Sequence, residues 1–107
     1  MITFNDISKC LNTDLKGKFC IEIEFCIDGC EQFYECWMGK MPNQCTNEDV
    51  FWFGLTPDSK NAYNYSDFKH MSSDKVFQGS SLEEIWDKVT VLSIDGCSPE
   101  ERIKHYL

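Results

Sequence analysis

The segment CIEIEFCIDGCEQFYEC, from Cys20 to Cys36, sets four of the chain's seven cysteines around Asp28. Thiolates in that number raise two chemistries, a metal centre and a disulfide clamp. Strand geometry decides against a single four-sulfur centre. From Lys18 to Ile27 the chain alternates, with Phe19, Ile21, Ile23, Phe25 and Ile27 set against Cys20, Glu22, Glu24 and Cys26. That is a strand signature. Six residues of strand at ~3.3 Å each put Cys20 about 20 Å from Cys26, whereas zinc–sulfur bonds are ~2.3 Å long. The sequence also lacks a Cys-x-x-Cys pair. A site that recruits Cys45, Cys97 or a histidine from afar stays open as an alternative, but no motif calls for a metal or a cofactor.

Asp28-Gly29 is a hairpin signal, and the register of that hairpin decides what the cysteines do. A three-residue loop sets Cys26 against Cys30 and Cys20 against Cys36. A two-residue loop sets Ile27 against Cys30 and Ile21 against Cys36, which exchanges the faces of the return strand. The three-residue loop places Glu31 and Glu35 beside the Ile and Phe row, and burying two unpaired carboxylates costs on the order of several kcal/mol. The two-residue loop places Glu22 opposite Glu35, an exposed like-charge pair costing about 0.2–1 kcal/mol. The two-residue loop is therefore favoured, although a longer loop also fits. Cys30 and Cys36 then face inward as small apolar residues, and Cys20 and Cys26 face outward.

The same register gathers Glu22, Glu24, Glu31 and Glu35 with Phe33 and Trp37 on the outward face. Paired carboxylates can do acid–base or metal chemistry. A solvated sheet face is the more ordinary explanation. Two aromatics among four acids on a wet face resemble an interface patch, so these six residues are the candidate partner-binding set. A second candidate set follows the strand-like run VFWFGL. Gly54 to Asp58 and the tyrosines beyond form a plausible pocket rim, with Thr56, Asp58, Tyr63 and Tyr65 as ligand-binding candidates. The two histidines, His70 in a polar stretch and His105 in a terminal helix, belong to no catalytic constellation, and no catalytic residue is assigned.

These residues need elements to carry them. Thr3 caps a first helix with Asp6 three residues on, and Gly17 closes that section. The hairpin follows, with Glu31 to Met41 returning and Gly39 a candidate bulge. Pro42 to Asp49 reads as a polar loop. Val50 to Leu55, apolar on both faces, reads as a central strand. Pro57-Asp58 marks a turn, Ala62 to Phe68 a fourth strand, and His70 to Lys75 a loop before an extended Val76-Phe77. Ser81 and Glu84 form a capping box before a helix over Leu82, Ile85, Trp86 and Val89. Thr90 to Asp95 reads as a strand ended by Gly96. Ser98-Pro99-Glu100-Glu101 starts a last helix. The expected architecture is a single α+β domain over residues 1–107. It has an antiparallel sheet of four to five strands, an N-terminal helix and two C-terminal helices, with the helices mainly on one face.

Composition limits the partners. The net charge of −8 repels a phosphate backbone, so nucleic acid is not an expected ligand. The N-terminus lacks a basic start with an apolar run, and no segment reaches the ~20 apolar residues of a membrane span. A cytoplasmic location with reduced thiols is the expectation. Eight Phe, four Tyr and three Trp supply both a core and a sticky surface. The sequence therefore points to a small acidic interaction module that is not an enzyme. It would regulate or inhibit a basic partner protein, as a monomer or a homodimer. A small-molecule binder or small enzyme near Gly54–Tyr65 is the alternative, and a metal-binding domain stands behind it.

Overall fold

The structure, a computed structural model, describes residues 1–14, 19–43, 45–46, 48–58 and 60–107. The chain forms α1 (Phe4–Leu11), β1 (Ile21–Ile27), β2 (Cys36–Asn43), β3 (Glu48–Gly54), β4 (Ala62–Tyr65), α2 (Phe68–Ser73), β5 (Val89–Ile94) and α3 (Pro99–Arg102). The five strands make one antiparallel sheet in the order β4-β3-β2-β1-β5. The fold is α+β, as the patterning indicated. The expected break at Gly17 and strand start at Lys18 lie outside the described residues. Phe19, expected in the inner row, precedes β1 and is exposed.

Local chemistry accounts for the first helix. The Thr3 hydroxyl accepts from the Asp6 backbone N–H at 3.1 Å, and the Asp6 carboxylate accepts from the Thr3 N–H at 3.0 Å. Two donors that the first turn leaves open are thereby satisfied. Ile7, Cys10 and Leu11 are fully buried on one side of α1. They join Phe68 and Met71 of α2 and Ile103, just beyond α3, in one core against Ile21, Ile23, Phe25, Cys36, Met38 and Phe53 of the sheet. The helices thus gather on one side of the sheet.

The hairpin departs from both registers derived from the sequence. Asp28-Gly29 does turn, with Gly29 at φ +77° and the Cys30 N–H donating to the Ile27 carbonyl at 3.2 Å. The chain then makes a 3₁₀ turn over Glu31–Phe33 before β2 begins at Cys36. Ile21 faces Lys40 instead of Cys36, and Phe25 faces Cys36. The slip is four positions, an even number, so each residue of β2 keeps the face expected of the two-residue loop. Cys36 and Met38 are fully buried and Trp37 faces outward. The cause is Phe33, which leaves the outward face to pack edge-on against Phe77 with ring centroids 5.5 Å apart. Phe77 also meets Phe25 at 6.2 Å and Phe53 at 5.4 Å. Burying a phenylalanine contributes roughly 1.5–3 kcal/mol, enough to offset the loss of one or two exposed ladder bonds at ~1 kcal/mol each.

Other elements shift for similar reasons. β2 and β3 extend through Pro42, Asn43, Glu48 and Asp49, which were read as loop. β3 is an interior strand between β4 and β2, as expected, while β2 holds the middle of the sheet. Gly39 carries no bulge; it pairs regularly with Glu22 and Trp52, and the sheet's irregularity lies between Glu24 and Phe25 on the β5 side. β4 stops at Tyr65, and the stretch read as loop contains α2. Asp67 caps α2 by accepting from the His70 N–H at 2.7 Å, and Phe68 and Met71 are buried one turn apart. The capping-box bonds between Ser81 and Glu84 form, at 3.0 and 3.3 Å, but lead only into turns and a 3₁₀ helix over Trp86–Lys88. No helix among the described residues is long and apolar enough to cross a membrane.

Candidate functional site

Strand alternation leaves one face of the sheet without helical cover. Its outward positions are Glu22, Glu24 and Cys26 on β1, Trp37, Gly39 and Met41 on β2, Glu48, Val50, Trp52 and Gly54 on β3, and Ala62 and Asn64 on β4. None of these is a lysine, arginine or histidine, and three are glutamates. The one cation in these strands, Lys40, points the other way and is buried. Its ammonium donates to the Thr13 carbonyl and lies 3.5 Å from Asp49 and 5.4 Å from the centre of the Phe51 ring. The charged side chains at these outward strand positions are therefore all negative.

Two reciprocal pairs shape this face. Trp37 lies opposite Gly54, and Gly39 lies opposite Trp52. The Trp52 indole lies across Gly39 so closely that a Cβ there would sit 2.7 Å from Cζ2 and 2.9 Å from Cε2. Gly39 is nearly inaccessible beneath it. At Gly54 there is space: a Cβ would come no nearer than 4.0 Å to the Cβ of Trp37 and Cζ3 of Trp52. The result is a groove of about 430 Å³ over Gly54, walled by the two tryptophans and bordered by Met41, Glu35, Thr56, Pro57 and Asn64. Concave apolar sites of roughly 300–1,000 Å³ are typical of ligand pockets; this one is open to solvent along the sheet.

The candidate partner-binding residues divide. Glu22 is exposed opposite Gly39, and Glu24 is half-buried opposite Trp37. Trp37 forms a wall of the groove, and Glu35, just before β2, stands on its rim. Glu31 is exposed but sits in the 3₁₀ turn, away from the strands. Phe33 is buried at 3% exposure and does not belong to the face, because Phe77 draws it into the core.

The ligand-binding candidates divide too. Thr56 lies on the groove rim, but its hydroxyl donates to Asp58 at 2.6 Å and accepts from the Asn61 amide at 3.4 Å. That bond and the Lys60 N–H hold the exposed Asp58 carboxyl below its ordinary pKa, so Asp58 organises the turn. Tyr63 and Tyr65 point to the core side. Tyr65 packs edge-on against Phe53 with centroids 5.8 Å apart and donates its hydroxyl to Asp74 at 2.7 Å. Burial and that carboxylate raise its pKa.

Sequence reasoning placed a pocket rim from Gly54 onward but passed over Trp52, Gly39 and Met41 as site residues. The signal was present as a tryptophan and a glycine on each of two strands. It becomes readable only once the register sets each indole against the other strand's glycine.

The cysteines form no clamp, for all seven are free thiols. Cys20 and Cys26 lie outward and Cys36 inward, as the favoured register required, while Cys30 is only half-buried. Burial pushes Cys36 and Cys10 up to about 12, which keeps them protonated and unreactive. His70 is exposed, its Nδ1 2.7 Å from Asp67 in the cap of α2. Among the described residues, no three His, Cys, Asp or Glu side chains come together as metal ligands would. Compared with known proteins, the chain matches no protein-family model, no curated protein and no solved structure.

Proposed function

We propose that the protein is an interaction module that docks a basic partner protein on the uncovered sheet face. The observation that carries this reading is the make-up of that face: two half-exposed tryptophans around a groove, set among glutamates, with no lysine, arginine or histidine at the outward positions of β1 to β4. Tryptophan is the side chain most enriched among energetically dominant interface residues. The surrounding carboxylates repel acidic competitors and speed the approach of a positive surface. Free thiols throughout suit a reducing compartment, so the reading places the protein in the cytoplasm.

The test is capture from native lysate by immobilised wild-type protein and by the double variant Glu24→Lys/Glu35→Lys, with bound proteins identified by mass spectrometry. Glu24 lies on the outward face of β1 and Glu35 just before β2, and neither belongs to the core, so the fold is expected to survive and a basic protein retained by the wild type to be lost. An identical bound set from both proteins counts against the reading. The groove's volume supports a second reading, a small-molecule site on the same tryptophans. A metabolite carried through native mass spectrometry and displaced by Trp52→Leu would favour it.

A further inference from the structure

We infer that the groove between Trp37 and Trp52 is the seat of a single guanidinium, an arginine side chain of the docked partner. This deepens the docking reading of the same face and rests on it. Two tryptophans line the groove, and indole is the aromatic that binds cations best. The floor is Gly54, whose missing side chain leaves the gap open between the Cβ of Trp37 and Cζ3 of Trp52. At the rim stand the Glu35 carboxylate and the Asn64 amide. Among the described residues neither takes part in an ion pair or a side-chain hydrogen bond, whereas the neighbouring Thr56 hydroxyl is already committed to Asp58.

Charge complementarity selects a cation, and the tryptophan lining selects which one. A guanidinium is flat, stacks on indole and is weakly hydrated, so it enters an apolar slot at low desolvation cost. Its fork of N–H donors suits a carboxylate such as Glu35. An ammonium is a compact, strongly hydrated charge and loses more on entry. An anion would meet Glu35 on the rim and Glu24 beside Trp37.

The experiment titrates the full chain, by tryptophan fluorescence at low salt, with a blocked nonapeptide. It bears one central arginine among alternating valine and threonine. Matched peptides carry citrulline, lysine or trimethyllysine in its place. The arginine peptide is expected to bind at least about tenfold more tightly than the citrulline peptide, the effect of one desolvated cation–aromatic contact, and more tightly than the lysine peptide. Gly54→Val fills the floor, and Glu35→Gln removes the charge without changing shape; each is expected to weaken the arginine peptide by about tenfold. The second variant keeps the test decisive should the first misfold.

Equal binding of arginine and citrulline overturns the proposal, as does tighter binding of trimethyllysine, or no binding of the arginine peptide up to ~1 mM. Should Glu24→Lys weaken the arginine peptide while Gly54→Val and Glu35→Gln do not, the face docks a basic segment but the slot is not its seat. Should partner capture from lysate be indifferent to Glu24→Lys/Glu35→Lys, the docking reading itself fails.

Discussion

Replacing Gly39 by alanine is the sharpest test of how the outward face is built. The added methyl would run into the Ile21 carbonyl oxygen and lie 2.7 Å from Cζ2 of Trp52, where ordinary contact begins at 3.4 Å. The indole can swing away, but only by giving up its place over the strand. The carbonyl cannot, because Ile21 belongs to the ladder that joins β1 to β2. Overpacking a well-filled site costs about 1–3 kcal/mol, and displacing part of a central ladder adds roughly 0.5–1.5 kcal/mol for each hydrogen bond lost. The sum, about 3–4 kcal/mol, is a large part of the 5–15 kcal/mol typical of a domain. It corresponds to a fall in Tm on the order of 15 °C.

Gly54→Ala, on the same face and one strand away, is the control. Its nearest neighbours would be 4.0 Å from the new Cβ and its backbone is not left-handed. Its effect on stability is expected to stay within about 0.5 kcal/mol, with a small gain from the less flexible unfolded chain. Urea denaturation followed by circular dichroism reads both variants without relying on the altered indole. A Gly39→Ala protein within about 1 kcal/mol of wild type, or a Gly54→Ala protein as damaged as Gly39→Ala, would refute the account of reciprocal tryptophan–glycine pairs.

Two further outcomes follow from the side-chain network. Asp95 stands at φ +53° in the Asp95-Gly96 turn, and its carboxylate accepts from the Glu22 N–H at 3.0 Å, from Arg102 Nε at 3.0 Å and from the Tyr106 hydroxyl. Asp95→Ala should cost about 3 kcal/mol, from lost charge-assisted bonds and a left-handed alanine. Asp95→Asn should cost less and free the C-terminal turn to early proteolysis, and equal stability of all three proteins would contradict this role. Glu84, exposed at the Ser81 cap, is held at about 2 by the Lys75 ammonium 2.9 Å away and by the Ser81 N–H and hydroxyl. A carboxyl lowered on folding stabilises above its unfolded pKa of about 4.3, and that contribution fades as pH falls toward 2. Glu84→Gln should flatten the loss of stability across that window, modestly because the pair is screened by water; an unchanged acid limb in a pH series of melts would argue against it.

Much of the fold was legible in the chain because it depends on neighbours in sequence. The Ile and Phe row of β1 alternates with Glu and Cys, and that period alone makes a strand with one buried face. Thr3 and Asp6 lie three residues apart, the spacing a helix start requires. Even the sides of β2 were readable, since burying Glu31 and Glu35 in the Ile and Phe row is costlier than any even slip of register. The rest was decided by contacts between residues far apart in the chain. Phe33 leaves the hairpin because Phe77, on a different loop, offers it a buried edge. That displacement carries Trp37 to Glu24 and Gly39 to Glu22. Only then, with β3 in place, does Trp52 find Gly39 and Trp37 find Gly54. A sequence states periodicity and capping outright, because both act within a few residues. It does not state which glycine an indole will cover, because that choice belongs to the packing of the whole core.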